Sequence, residues 1–98
     1  SAWKSYVINE KKMDKSLAEK IQFSIGNLNN EISNDPRLGK EFQIGHSFFT
    51  PPNRMENNDS QSWFKEVIES EIKPLLEEYW FDSPEDVDKS IKRILSDA

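Results

Sequence analysis

Apolar residues recur every three or four positions between Met13 and Ile32, at Met13, Leu17, Ile21, Ile25, Leu28 and Ile32, a spacing that sets them along one side of an α-helix. Asp14 stands where an N-cap is expected, and its carboxylate is able to accept from free amides of the first turn. Asn34-Asp35-Pro36 supplies the stop, because the residue before a proline is pushed out of helical geometry. Upstream, Trp3, Tyr6, Val7 and Ile8 predict a short helix of about two turns, joined on by residues 9–12.

The period changes between Leu38 and Pro52, where Phe42, Ile44, Phe48 and Phe49 surround Gly45-His46-Ser47 ahead of a Pro51-Pro52 break. This segment reads as ordered but irregular. Phe42-Gln43-Ile44 alternates over too few residues for a sheet, though it is compatible with a short strand. The polar stretch Asn53–Gln61 reads as a loop. A second long helix starts near Ser60 or Ser62 and carries Trp63, Val67, Ile68, Ile72, Leu75, Leu76, Tyr79 and Trp80. Pro74 falls inside it and predicts a kink or a break, since proline removes a helix hydrogen bond and crowds the preceding turn. The last helix has Ser83 as N-cap, Pro84 at the first helical position and Glu85 and Asp86 in the first turn. Its stripe is Val87, Ile91, Ile94 and Leu95, with Lys89, Lys92 and Arg93 toward the end that the dipole makes favourable to cations. The expected architecture is all-α: a small bundle of about four helices with a central irregular segment.

Composition narrows the function classes. Ninety-eight residues make one domain, with 35% apolar and 32% charged residues, so the core is thin and the aromatics must help build it. Thirteen basic against eighteen acidic side chains give a net charge of -5, which opposes phosphate attraction and argues against a nucleic-acid face. Cysteine is absent, which excludes disulfides, thiol catalysis and Cys-ligated zinc and suits a cytoplasmic setting. No apolar run approaches the roughly 20 residues that span a bilayer, so no membrane association is expected. The opening Ser1-Ala2, without methionine, is compatible with a piece of a longer polypeptide.

Several chemistries lack their residues. A phosphate loop of the form GxxxxGKS/T fails at Gly39-Lys40, which Glu41 follows and which has Asn34 in place of the first glycine. His46 is the only histidine, so an HExxH zinc site is ruled out and no metal site is expected. His46 and Ser47 are adjacent, an arrangement that rarely turns two side chains toward each other, and no GxSxG elbow surrounds them; no catalytic residue is assigned. Two readings of the run remain open. Either His46 and Ser47 satisfy backbone groups in a buried loop, or Gly45 lets the backbone approach a ligand that His46 and Ser47 contact. Acidic residues crowd the second half, at Glu66, Glu69, Glu71, Glu77, Glu78, Asp82, Glu85, Asp86 and Asp88. They read most simply as a solvated face, or else as a docking surface for a basic partner. Trp63, Tyr79, Trp80 and Phe81 read as core, with Trp80-Phe81 an alternative interface anchor.

Three stretches go further: Leu28-Asn29-Asn30-Glu31-Ile32, the run from Leu38 through Gly45-His46-Ser47 to Phe49, and Glu71-Ile72-Lys73-Pro74-Leu75-Leu76-Glu77-Glu78-Tyr79-Trp80-Phe81-Asp82. In order and spacing they resemble the C-terminal end of the McrB family, the AAA+ GTPase subunits of 5-methylcytosine-specific restriction systems. The matching patterns are L-N-x-x-I, L-G-x-x-F-x-I-G-H-S-F/Y-F, a Trp at position 63 and E-I-x-P-L-L-E-E-Y-W/F-F-D.

The resemblance spans nearly the whole chain and implies that residues 1–98 are a helical lid subdomain, a fragment of a larger AAA+ protein. It implies that the phosphate loop, the Mg-binding acid and the sensor residues lie in the core of the same polypeptide. The piece alone would then hold no cofactor and hydrolyse nothing, whereas the full-length protein would use GTP or ATP with Mg. In AAA+ proteins the lid packs over the nucleotide and against a neighbouring ring subunit, which implies that Gly45, His46 and Ser47 lie near the nucleotide or the hinge to the core. An endonuclease subunit of the McrC type would be a partner, and DNA would be read only through a separate domain. Arg37, Arg54 and Arg93 begin no predicted helix, so an arginine sensor of the terminal phosphate is not expected. The rival expectation is a free-standing acidic helical adaptor that binds a basic protein.

Overall fold

The structure, a computed structural model, describes residues 1–55 and 59–96. Its described residues form five α-helices: α1 (Ala2–Asn9), α2 (Lys15–Asn34), α3 (Asp59–Val67), α4 (Lys73–Tyr79) and α5 (Pro84–Ser96). No strand occurs among them, and none of these helices is long and apolar enough to cross a membrane. The fold is therefore all-α, as the apolar spacing predicts. Phe42-Gln43-Ile44 forms no short strand; a 3-10 turn covers Lys40–Phe42 instead. Of the expected loop Asn53–Gln61, residues 59–61 already belong to α3 and residues 56–58 lie outside the described residues.

The stripe of α2 does what its period implies. Leu17, Ile21, Ile25, Leu28 and Ile32 are all buried, and α2 packs against α1, α5 and the turn at residues 40–42. Asp14 sits at the N-cap, but its carboxylate accepts from Ser16 Oγ at 2.8 Å and makes no bond to a helix amide; only its carbonyl engages the first turn, accepting from Ala18 N at 3.0 Å. Opposite α2, Phe64, Val67, Ile68, Ile72 and Leu76 complete the core together with Val87, Ile91 and Ile94 of α5.

Pro74 neither breaks nor sharply ends its helix. A π-helical turn, Ile68–Ile72, joins α3 to α4, with the Lys73 amide donating to the Ile68 carbonyl and Pro74 placed in the first turn of α4. A proline inside regular α-helix would strike the carbonyl four residues back and leave it without a donor. A turn widened by one residue accommodates both defects while Ile68, Ile72 and Leu76 stay fully buried.

Trp80 is buried, whereas Phe81 is 77% exposed, so the apolar pair that ends α4 divides between core and solvent. Phe81 is therefore not a core residue, and Trp63 is only half-buried against the core. The Trp80 indole Nε1 donates to Asp35 Oδ2 at 2.7 Å, so the residue that stops α2 also holds the end of α4. Arg37 completes this latch: its amide and its guanidinium both reach Asp35, and the guanidinium also bridges to Asp82 at 3.1 Å. The indole bond, followed by the Arg37 amide, holds the Asp35 carboxyl below its ordinary pKa. A carboxylate with a depressed folded-state pKa adds stability that is complete above the unfolded-state value and is lost as pH falls through the folded one. The stability advantage of the wild type over Trp80→Phe is thus expected to hold from pH 7 to about pH 5 and to shrink as pH falls below about 4. Thermal unfolding across that range tests this, and a pH-independent difference would show that the indole bond does not depend on the carboxylate charge.

Candidate functional site

Between α2 and α3 the chain is held at two buried points, with an exposed turn between them. The first anchor is Ile44, 3% exposed, whose amide donates to Asn29 Oδ1 at 2.6 Å and whose carbonyl accepts from Asn29 Nδ2 at 2.9 Å. One side-chain amide thereby satisfies both backbone groups of a residue that belongs to no regular element. The approach to this anchor needs Gly39, whose φ of 100° and ψ of -172° belong to a region that side-chain-bearing residues rarely enter. The second anchor is Phe49, fully buried, its ring 6.0 Å from that of Phe64.

Gly45, His46 and Ser47 lie between the anchors and are all exposed. Gly45 is extended (φ -85°, ψ 163°), and His46–Phe49 form one 3-10 turn closed by Thr50, whose hydroxyl donates to the His46 carbonyl at 3.1 Å. The buried-loop reading of His46 and Ser47 is not what the structure shows. Neither side chain hydrogen-bonds a backbone group among the described residues, and none links the Ser47 hydroxyl to the imidazole, so nothing supports a nucleophile and base pair. A Cβ on Gly45 would meet only Ser47 Oγ, at 3.9 Å. The space beside this glycine is therefore open among the described residues.

The imidazole instead lies flat on Trp3 of α1, with centroids 5.0 Å apart and ring planes 16° from parallel. Trp3 is 9% exposed, and its indole Nε1 is buried without a hydrogen-bond partner among the described residues. α1 is itself fastened to α2 by Lys4–Glu19 at 3.1 Å and by Gln22 Nε2, which donates to Ser1 Oγ at 2.7 Å. The groups that hold the run, Asn29, Trp3, Thr50 and Phe64, are all uncharged. No set of three or more His, Asp or Glu side chains able to hold a metal occurs among the described residues.

A cleft of about 580 Å³ lies elsewhere, between the end of α2 and α5, lined by Glu31, Asp35, Trp80, Asp86, Lys89 and Arg93 among others. Its charges are of both signs and largely engaged, Arg93 with Glu31 and Asp35 with Arg37. The acidic residues Glu66, Glu69, Glu71, Glu77 and Glu78 are exposed, the disposition of a solvated face.

The sequence-predicted residues thus share one turn, while two that complete the site, Asn29 and Trp3, receive no role from the sequence. Asn29 could have been noticed as the one polar position kept between Leu28 and Ile32 in the L-N-x-x-I stretch; Trp3 carried no signal beyond its place on an apolar face.

Comparison with known proteins bears on the same segment. The sequence model of the family described as McrB, alpha-helical lid domain, matches residues 20–88, which hold the Asn29 clamp, the Gly45–Ser47 turn and the Pro74 π turn but not Trp3. The Type IV methyl-directed restriction enzyme EcoKMcrB subunit of Escherichia coli (strain K12) is 35% identical over 97 residues, covering 98% of this chain. The chain spans only 21% of that relative's length. No solved structure matches it. An all-helical chain of this order, matched along most of its length and carrying the run between two buried anchors, belongs to the family of McrB alpha-helical lid domains.

Proposed function

We propose that this chain is the lid subdomain of a larger McrB-like, GTP-dependent restriction motor, in which it couples nucleotide state to ring assembly and DNA restriction without catalytic groups of its own. The observation that carries this reading is the exposed Gly45–Ser47 turn, fixed at both ends by Ile44 and Phe49, whose His46 and Ser47 side chains make no hydrogen bond among the described residues. A turn held at both ends, with an open glycine, an exposed imidazole and an exposed hydroxyl, is suited to meet something outside the chain. Nucleotide contact fits these residues. Magnesium ligation does not, because no acidic cluster accompanies them among the described residues, so the metal and the phosphate loop would belong to the core of the same polypeptide.

Neighbouring ring subunits and an endonuclease subunit of the McrC type are the proposed partners, and the cytoplasm the proposed setting. The relative's printed name, a methyl-directed restriction enzyme subunit, supports the restriction context. The net charge of -5 is consistent with DNA being read by a separate domain. Two measurements test the proposal. The isolated chain is expected to turn over neither GTP nor ATP, and hydrolysis at catalytic rates would refute it. In the full-length protein, His46→Ala is expected to alter nucleotide turnover or ring assembly with no change in thermal unfolding; if turnover and assembly both stay as in the wild type, the turn is not a working part of the motor.

A further inference from the structure

We infer that the outer face of the His46 ring is a stacking platform for the purine base of the bound nucleotide, with Trp3 as the rigid backing that holds the imidazole flat. This rests on the reading of Gly45–Ser47 as nucleotide-proximal and says which part of the nucleotide the turn meets. One face of the imidazole is taken by the indole, at 5.0 Å and 16° from parallel, while His46 itself is exposed, so its second face is the one presented outward. A third planar ring added to such a pair loses little conformational freedom on binding, because Trp3 is buried and α1 is tied down at Ser1 and Lys4.

The groups around the turn decide between base and phosphate. A phosphate site wants cations or a row of convergent amides, but among the described residues the turn is met by Trp3 and Thr50 and its two flanking anchors are held by Asn29 and Phe64, none of them cationic, and the 3-10 turn is only four residues long. A flat, exposed ring beside a glycine with open space suits the π-face of a base, for which stacking is tolerant of base identity. The platform therefore accepts guanine and adenine alike, and any preference between GTP and ATP is set by groups outside this chain.

The test uses the full-length gene product with three probes: GTPγS, ATPγS and inorganic tripolyphosphate, titrated against the wild type, His46→Ala and His46→Phe. Thermal unfolding confirms that each variant is folded, which the exposure of His46 favours. His46→Ala is expected to weaken both nucleotides about tenfold, the loss of one stack. His46→Phe, which keeps a flat face, is expected to stay within about threefold of wild type. Tripolyphosphate affinity is expected to be the same in all three. If His46→Phe loses as much as His46→Ala, or tripolyphosphate binding falls alongside nucleotide binding, the turn meets the nucleotide by another contact and the stacking inference is overturned. If His46→Ala changes no affinity, the nucleotide-proximal reading falls with it.

Discussion

Phe49→Ala is expected to cost about 3–5 kcal/mol of folding stability, the range for removing a fully buried phenyl ring. Phe49 has no exposed surface and packs against Phe64, itself 1% exposed, in a core with no large reserve of apolar residues. Set against the roughly 5–15 kcal/mol that stabilises domains of this kind, the loss is a large fraction of the whole. Urea unfolding followed by circular dichroism should show the midpoint falling by roughly 2 M, given the slopes usual for small proteins. Phe81→Ala is the control: with its ring 77% exposed, it should move stability by no more than about 0.5 kcal/mol. A small shift for Phe49→Ala would mean that the second anchor of the Gly45–Ser47 turn is not docked, and the turn would then be no preorganised surface.

Asn29→Ala should have the next largest effect, about 2–4 kcal/mol, because it strands two partners at once. The amide and carbonyl of Ile44 both bond to this one side chain, and the Ile44 residue is 3% exposed, so water replaces those bonds poorly. Asn29→Asp separates the two bonds: a carboxylate still accepts from the Ile44 amide but has nothing to donate to the carbonyl, and it places charge beside that oxygen. Hydrogen exchange at the Ile44 amide is the direct readout, with protection expected to collapse in Asn29→Ala and to persist in part in Asn29→Asp. Unchanged protection in Asn29→Ala would mean that the clamp is not what orders the turn. Where the clamp is lost, nucleotide affinity of the full-length protein is expected to fall too, although Asn29 touches no part of the proposed stack.

Much of the fold was legible because helices announce themselves locally. The spacing of Leu17, Ile21, Ile25, Leu28 and Ile32 places α2 in the core before any neighbour is known, and Ser83-Pro84 starts α5 where it is found. Errors arose where a local rule admits more than one structural answer. Pro74 forbids regular hydrogen bonding but does not say whether the chain will kink, stop or widen, and the burial of Ile68, Ile72 and Leu76 selects the π turn. Trp80 and Phe81 are adjacent and both apolar, yet the carboxylate of Asp35, 45 residues away, gives the indole a partner and the phenyl ring faces solvent. The site shows the same division. Gly45-His46-Ser47 is conspicuous in the sequence, whereas Asn29 and Trp3 acquire their roles only by meeting that run across the fold.

The amino-acid order by itself determined the helices, the apolar faces they bury, the absence of a phosphate loop and the likeness to the McrB lid, because these depend on spacing, capping and motif over short stretches. Tertiary structure alone decided that one asparagine holds Ile44, that His46 lies on Trp3, and that Asp35 receives the Trp80 indole. Those are contacts between residues 15 to 45 positions apart, and no local periodicity encodes which distant side chain will arrive to satisfy a buried polar group or cover one face of a ring.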